Sequence, residues 1–368
     1  MREDGSVVLR VTDARGTSAE RSTGASGRVA GYAGIFRCGN VHLCLECSTK
    51  IAVARAQEIE RVVGYHVARG GWAVLVTLTL RHYRHHSLAQ CLKAASAGWA
   101  AVTSGGAWQA DKKLSDYAGY CRALEVTESP ANGWHGHFHV ILVFRSRPSE
   151  TTVEHIAEGM FRRWSAAVQR EGMPAPSREC GLDVQHLDDR SRPGEDDGPT
   201  VTRWARYVAK GIAAESALGI TKDARGSNRS VRQLMRDALI PQGWENPETH
   251  EVVETVDQTA LTRLREYQAA IKGRRAITWS TGRHDLRKAA GEQESLTDEE
   301  IVRLDLEGED VAVLPRESWK ALEPRAVDLL SVTEVGGKEA ARAWLDAQGI
   351  EWWRPTRLTH HYRRGDSR

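Results

Sequence analysis

Residues 133–144 read GWHGHFHVILVF, and this stretch determines how the central part of the chain folds. Its apolar second half predicts a buried β-strand, and its first half places His137 and His139 two residues apart. Side chains two apart along a strand project from the same face, so both imidazoles share one face and Phe138 lies on the other. Two histidines placed in this way can bind one metal ion. The competing interpretation is that they are ordinary residues of a half-exposed strand.

A second strand candidate, at residues 117–127, precedes this one, and the turn-rich sequence SPANG at residues 129–133 joins the two. If the turn is centred on Ala131, paired residues have numbers that sum to 262, which places Glu125 opposite His137. One loop residue more or fewer would shift this register. Two imidazoles and a carboxylate form a mixed site suited to Mn²⁺ or Mg²⁺. A glutamate that simply faces solvent is the alternative.

Three further residues could contribute to the same pocket. Thr77 and Thr79 share one face of the strand candidate at residues 72–80, where they could hydrogen-bond to ligands or phosphate. Threonine is also a common strand residue, so this role is the minority interpretation. His82 follows this strand and becomes the next candidate ligand if Glu125 points to the opposite face.

The order of the predicted elements gives the fold class. Strand, helix, strand, strand, helix and strand follow one another, and one more helix comes after them. The order β-α-β-β-α-β predicts an α+β fold with a ferredoxin-like antiparallel sheet, in which the third strand lies between the first and the second. Many unrelated functions share this arrangement. The predicted strands cover residues 72–80, 117–127, 134–144 and 180–187, and the helices cover 87–102, 151–170 and 202–214.

The last of these helices carries Tyr207 and Lys210, which are three residues apart and therefore share one helical face. A tyrosine phenol has an ordinary pKa of about 10, so a nucleophilic tyrosine gains from a nearby cation and from a metal-polarised phosphate. Such a pair is common on helix surfaces. Its position after a His-apolar-His strand makes it much more specific.

Three of the six cysteines lie within ten residues of one another: Cys38, Cys44 and Cys47. In a reducing compartment this clustering favours a metal site over a disulfide framework. Structural zinc needs four ligands, almost always Cys or His. The fourth ligand is left open among His42, Cys180 and His66, and three buried free cysteines are the alternative.

Composition and charge limit the functional classes. A net charge of +2 over 368 residues gives no overall attraction to nucleic acid, so any DNA contact has to come from local basic patches. The sequence has no run of eighteen apolar residues and no apolar stretch of signal-peptide length near residue 1. We therefore expect a cytoplasmic protein.

Three motifs, in this order, resemble rolling-circle replication initiators of actinobacterial plasmids, which are members of the HUH endonuclease superfamily. They are VLVTLTL at 74–80, GWHGHFHVILVF at 133–144 and ARYVAKG at 205–211. The cysteine-containing sequence at 38–51 resembles the family's N-terminal segment. KGRRAITWSTG at 272–282 resembles a block that often follows its nuclease domain. The two-histidine motif followed by YxxK is the most specific part.

The resemblance implies a site-specific nick at the double-strand origin of a plasmid. Tyr207 would attack a phosphodiester and stay joined to the 5′ phosphate. The freed 3′ hydroxyl would prime leading-strand synthesis, with a host helicase and polymerase as the expected partners. His137 and His139 correspond to the family's metal-binding pair, and Glu125 is our assignment for the acidic ligand.

Two positions depart from the family pattern. Arg203 stands where some related initiators carry a glutamate that is thought to activate water for termination, so the termination route is left open. His42 stands where relatives carry tryptophan. The alternatives to an initiator are an HUH transposase, which its genetic neighbourhood would reveal, and a non-catalytic zinc-containing DNA-binding regulator. The regulator would leave Glu125, the two strand histidines and Tyr207 without a purpose.

We expect five regions along the chain. They are a flexible N-terminus (1–30), a Cys-rich zinc module with a helix (31–66), an HUH nuclease domain (70–215), a basic extension (216–290) and a mainly helical C-terminal region (291–368). In the extension, residues 272–275 and Trp279 combine charge with a stacking surface, as single-strand binding sites do. A basic helix end before a core strand explains the same residues.

The C-terminal region contains two helical stretches, at 325–335 and 338–348, joined by Gly336 and Gly337. A helix-turn-helix here would suit origin recognition. Plain packing of two short helices is the alternative.

Overall fold

The structure is a computed structural model, and it describes residues 6–13, 28–34, 39–186, 201, 228–239, 242–245, 252–292, 296–303 and 308–355. The chain divides into two compact units. One comprises Met1–Cys38 and Val302–Arg368, and the other is Gly39–Ile301. The second unit contains every described residue of the predicted nuclease domain and of the basic extension, together with the helix before the nuclease domain.

The strands are β1 (Val7–Asp13), β2 (Arg28–Ala33), β3 (Trp72–Thr79), β4 (Tyr117–Ser129), β5 (Gly133–Phe144), β6 (Leu182–His186), β7 (Arg229–Ser230), β8 (Gln242–Glu245), β9 (Val252–Thr255), β10 (Ile277–Trp279) and β11 (Glu309–Leu314). The helices are α1 (Leu45–Val67), α2 (Leu88–Val102), α3 (Gly105–Leu114), α4 (Glu150–Arg170), α5 (Arg178–Gly181), α6 (Val231–Leu239), α7 (Gln258–Ile271), α8 (Leu286–Ala289), α9 (Asp298–Arg303), α10 (Arg316–Leu322) and α11 (Ala326–Ala347).

The larger unit is built on an antiparallel sheet with the strand order β10-β4-β5-β3-β6, and β7 pairs with the outer side of β4. The third predicted strand, β5, therefore lies between the first, β3, and the second, β4, as the sequence predicts. The fourth, β6, pairs with β3. Helix α2, predicted at 87–102, begins with an N-cap, since the hydroxyl of Ser87 accepts a hydrogen bond from the backbone N–H of Gln90. The α+β class is confirmed.

Alternating side chains give the sheet two different faces. On one face, Val76, Val140 and Leu142 belong to the core that α2 and α4 complete. On the other, Leu75 and Ile141 pack in a separate apolar cluster with residues of α1, among them Ile59, Val62 and Val63. Towards the N-terminal end of β5 this second face becomes polar, because the residues before Ile141 that point to it are His139 and His137. The polar end of one sheet face thus carries the predicted metal ligands.

The β4–β5 hairpin has the register that the sequence predicts. Glu125 pairs with His137, and the pairing continues to Ser129 opposite Gly133 at the turn. Gly133 has φ +77°, a conformation that favours glycine. A Cβ atom there would also lie 3.0 Å from the Cα of Arg84. Both constraints favour glycine at the end of the turn that places Glu125 opposite His137.

The predicted flexible N-terminus is wrong for the part of it that the structure describes. In the smaller unit, Val7–Asp13 (β1) and Arg28–Ala33 (β2) form a three-stranded sheet together with β11, in the order β11-β1-β2. Val7 and Leu9 are fully buried there. The partner strand β11 begins at Glu309, about 300 residues away, so no local pattern indicates this pairing. The region expected to be mainly helical thus also contributes an edge strand, β11, to this sheet.

The predicted C-terminal helix pair is present as α11, which is broken at Gly337 (φ 73°, ψ −164°). Leu329 lies before the break and Ala341 and Leu345 after it, and all three are fully buried in the core of the smaller unit. Both halves therefore pack within that core. Origin recognition by this pair stays a prediction.

No helix within the described ranges is long and apolar enough to cross a membrane.

Replacing Gly133 by alanine should destabilise the protein by about 1–2 kcal/mol, because the left-handed backbone is unfavourable for residues with a Cβ. The close approach of Arg84 adds to this cost. Gly136→Ala is the matched control in the same strand, since a Cβ there meets nothing within 4 Å. It should change stability by less than about 0.5 kcal/mol. Thermal unfolding followed by circular dichroism compares the two, and equal stability of both variants would contradict the proposed constraint on the turn.

Candidate metal centre

Three side chains converge at the polar end of the sheet face. The Oε2 atom of Glu125 lies 2.9 Å from Nε2 of His137 and 2.6 Å from Nε2 of His139. Among the described residues, these form the one group of three or more His, Cys, Asp or Glu side chains whose ligand atoms all lie within 4.8 Å of one another. The predicted convergence of the three residues on one point is observed.

The neighbouring strand β3 fixes the orientation of one ligand. Thr77 pairs with His139 across the β3–β5 ladder, and its Oγ1 atom lies 3.1 Å from Nδ1 of His139. A metal-binding histidine usually donates its other ring N–H to an acceptor, and a threonine hydroxyl can accept that proton. The sequence indicated Thr77 only as a minority candidate. The structure places it directly behind the ligand, and His139 is almost fully buried.

The protonation states suit a metal site. Burial alone would raise the pKa of Glu125, but the hydrogen bonds and charges of His137 and His139 outweigh it and hold that pKa well below its usual range. Burial lowers the pKa of His139, more than the hydrogen bond with Glu125 raises it. At neutral pH the carboxylate is therefore ionised and the His139 imidazole neutral. Those are the forms in which both groups bind metal.

A second pair of histidines lies beside this group. Nδ1 of His135 is 2.9 Å from Nε2 of His82, and Nδ1 of His82 is 3.0 Å from the carbonyl oxygen of Asn132. Because a carbonyl only accepts, His82 carries its proton on Nδ1, and its Nε2 accepts the Nδ1 proton of His135 while His82 is neutral. Nε2 of His135 is left with a lone pair, next to His137 at a ring-centroid distance of 5.0 Å.

Both members of this pair are neutral at pH 7. Burial, and then the charges of His137 and His82, lower the pKa of His135 to about 4. Burial also lowers the pKa of His82. His82, the alternative ligand, is thus engaged with His135 and does not belong to the converging group. The alternation of histidines at 135, 137 and 139 predicts that all three share one face of β5, but it does not predict the pairing of His135 with His82.

The predicted nucleophile and its neighbour, Tyr207 and Lys210, lie outside the described residues, as does Arg203. Val201 is described, six residues before the tyrosine. It packs against the apolar cluster that contains Leu75 and Ile141, on the sheet face that carries the metal ligands. The six residues from Val201 to Tyr207 can span at most about 20 Å, so Tyr207 lies within that distance of a residue on this face.

The predicted zinc module is only partly described, because Cys38 lies outside the described residues. Cys44 lies immediately before α1 and Cys47 lies in the first turn of that helix. Two of the three candidates for the fourth ligand make hydrogen bonds to backbone carbonyls: Nε2 of His42 lies 2.9 Å from the oxygen of Arg274, and Nε2 of His66 lies 3.2 Å from that of Leu286. The third, Cys180, is exposed in α5. The zinc site stays a prediction.

Comparison with known proteins adds independent information. Residues 40–325 match the model of a family described as "Replication protein". The chain is 28% identical over 359 residues to "Protein rep" of Streptomyces lividans, which covers 83% of this chain and 76% of that relative. It is also 31% identical over 138 residues to "Neomycin resistance protein" of Streptomyces cyanogenus, covering 31% of this chain and 32% of that protein. No solved structure gives a significant match.

Thr77→Val should weaken binding of Mn²⁺ by about tenfold or more, because it removes the hydroxyl that orients His139 while keeping the side-chain volume. Thr79→Val is the control, since the Thr79 side chain makes no hydrogen bond within the described part of the chain and lies on the same face of the same strand. Isothermal titration calorimetry of each variant with Mn²⁺ measures the affinities. Equal affinities for the two variants would show that Thr77 does not support the site.

Proposed function

Because this chain belongs to the replication protein family, we propose that it starts rolling-circle replication of a plasmid by nicking one strand of the double-strand origin. The observation that carries the proposal is the convergence of Glu125, His137 and His139 on one point of the sheet. The match to "Protein rep" over most of both chains is consistent with it. A non-catalytic DNA-binding regulator would not need this group of side chains.

The fold proposed for the larger unit is the ferredoxin-like fold of an HUH nuclease. Its support is the order of the four strands β6-β3-β5-β4, which places the histidine strand in the centre of the sheet. Helices α2 and α4 cover one face and leave the histidines on the other.

Glu125, His137 and His139 are the residues that would hold the catalytic ion, Mn²⁺ or Mg²⁺. One carboxylate oxygen and two imidazole nitrogens suit either ion and leave positions for water and phosphate. When bound, such an ion withdraws charge from the scissile phosphate and favours attack on it. Thr77 would keep the His139 ring in the orientation that presents Nε2 to the ion.

Tyr207 is the proposed nucleophile. Its phenolic oxygen forms a bond to the phosphorus atom, and the bond from that phosphorus to the 3′ oxygen breaks. The phenol loses its proton and the leaving 3′ oxygen gains one, so the products are a 5′-phosphotyrosine and a free 3′ hydroxyl. Lys210, three residues along the chain, would stabilise the developing negative charge. The position of Val201 on the histidine face of the sheet supports this assignment.

An HUH transposase would use the same chemistry at the ends of a mobile element. Its genetic neighbourhood distinguishes it from a plasmid initiator. A host helicase and polymerase are the proposed partners of an initiator, because the nick has to be unwound and extended.

Tyr207→Phe should abolish the covalent protein–DNA adduct, because it removes only the nucleophilic oxygen. The assay is denaturing electrophoresis of the protein with a labelled single-stranded origin oligonucleotide and Mn²⁺. Tyr267→Phe is the matched control, since Tyr267 is buried and burial raises the pKa of its phenol far above the usual range. The control should form the adduct normally. An adduct in the Tyr207→Phe variant would refute the assignment.

Purified protein should retain about one zinc ion after mild chelation that removes the catalytic ion, because structural zinc sites bind far more tightly than a mixed His/carboxylate site. Cys47→Ser should lose this zinc. His42→Ala, His66→Ala and Cys180→Ser, compared by metal analysis, identify the fourth ligand as the variant that also loses it. Well-folded, reduced wild-type protein without zinc would contradict the zinc module.

A further inference from the structure

A cavity of about 300 Å³ lies on the sheet face opposite to the histidines. Arg122, Leu124 and Phe138 reach it from β4 and β5, at positions that alternate with Glu125 and the two ligand histidines. Helix α2 closes one side of it, and the loop that follows α7 closes another. Leu92, Leu124 and Phe138 give the cavity an apolar wall, and Arg122, Arg274 and Arg275 add positive charge to its lining. The described residues that line the cavity include no carboxylate.

Arg122 has hydrogen-bonding capacity that the described residues do not use. Its guanidinium lies over the ring of Phe138, with 4.2 Å between the central carbon and the ring centroid. The hydrogen bond that it makes within the described ranges is a long one, 3.4 Å from Nη2 to Oγ1 of Thr278. None of the described carboxylates pairs with it. A guanidinium has five N–H donors and stays charged, so most of the donors of Arg122 remain available to a ligand.

The loop after α7 is held in place before any ligand arrives. Nη1 of Arg274 donates to Oγ of Ser96 at 3.2 Å, and Nε donates to the carbonyl of Ala270 at 3.0 Å. The carbonyl of Arg274 in turn accepts from Nε2 of His42 at 2.9 Å. The backbone N–H of Leu124 donates to the carbonyl of Ala276 at 2.9 Å, which ties the loop to β4. The cavity is therefore preformed.

Arg275 differs from the other two arginines. It is exposed, and it makes no hydrogen bond or ion pair with any described residue. Its side chain can therefore move to a ligand without breaking a contact. Together the three guanidinium groups give the lining of the cavity a positive charge, and no described carboxylate pairs with any of them.

Size and chemistry indicate the kind of ligand. A volume of about 300 Å³ lies at the lower end of the range for small-molecule sites and is larger than a bare phosphate needs. An apolar wall next to cationic groups suits a flat base that is attached to a phosphate. Single-strand binding sites combine the same two features, a basic surface for the backbone and a stacking surface for bases.

We propose that this cavity holds one nucleotide unit of single-stranded DNA, with its base against Leu124 and the Arg122–Phe138 pair and its phosphate at Arg274 and Arg275. The inference rests on the proposed function, because it takes the strand that is nicked as the source of the nucleotide. It adds a second contact with that strand, on the opposite face of the sheet from the nicking site. This contact requires no particular base sequence.

The test is equilibrium binding of a fluorescein-labelled single strand of about twelve nucleotides, measured by fluorescence anisotropy in EDTA so that no cleavage occurs. Arg122→Gln and Arg275→Ala should each weaken binding about threefold to tenfold. Arg275→Ala should also lower the slope of log affinity against log salt by about 0.7, the value for one phosphate contact with a single strand. Arg162→Ala is the control, because Arg162 is exposed on α4 and does not line the cavity.

Arg275 is exposed and makes no hydrogen bond or ion pair with a described residue, so its variant tests the proposal even if Arg122→Gln unfolds. Wild-type affinity and salt dependence in Arg275→Ala would overturn the proposal. Competition with dAMP and with inorganic phosphate distinguishes the possible ligands. If the substitutions weaken binding of dAMP but not of the strand, the cavity binds free nucleotides and the assignment to DNA is wrong.

The same variants separate this proposal from the proposed function. The Mn²⁺-dependent adduct with origin DNA depends on Tyr207 and the metal ligands, whereas strand binding in EDTA does not depend on the metal. A wild-type protein that forms no adduct but binds the strand through Arg122 and Arg275 would refute the nicking activity and support the cavity. Normal adduct formation together with strand binding that neither substitution weakens would support the nicking activity and refute the cavity as a DNA site.

Discussion

The pairing of Glu125 with His137 across the β4–β5 hairpin is the constraint on which the candidate site depends. A shift of one residue would turn Glu125 to the opposite face, away from both imidazoles. The turn in the observed register requires glycine at position 133, because its backbone is left-handed and its close approach to Arg84 leaves little room for a Cβ. The ladder with β3 then brings Thr77 behind His139. The pairing of β5 with β4 and β3 thus positions the three ligands and also Thr77, which orients His139.

The same sheet separates two kinds of chemistry because its side chains alternate. One face is apolar beneath α1 and polar at its end, where the histidines and Glu125 lie. The other is filled by α2 and α4 and leaves a basic cavity at its margin, next to β4. Arg122 and Glu125 are three residues apart on β4 and point to opposite faces. If both proposals hold, the protein contacts one DNA strand on both sides of its central sheet, with metal chemistry on one side and sequence-independent binding on the other.

Much of the site could be predicted from the sequence because its determinants are local. The SPANG turn fixes the register of two adjacent strands, and the spacing of His137 and His139 fixes their common face. The pairing of β1 with β11 could not be predicted, because the partners are about 300 residues apart and neither strand indicates the other. The His82–His135 pair was missed for a related reason. His82 follows the end of β3 and bonds to both His135 and the turn residue Asn132, a proximity that sequence spacing does not show.

If Glu125, His137 and His139 hold the catalytic ion, Mn²⁺ bound to the protein must be coordinated by imidazole nitrogen. Electron spin echo envelope modulation of the Mn²⁺-loaded protein measures this directly, because ¹⁴N nuclei bound to Mn²⁺ modulate the echo. The expected result is modulation from two histidine nitrogens in the wild type, from one in His137→Gln, and from none in the double variant His137→Gln/His139→Gln. Mn²⁺ bound without nitrogen modulation, or with modulation unchanged in the double variant, would contradict the site.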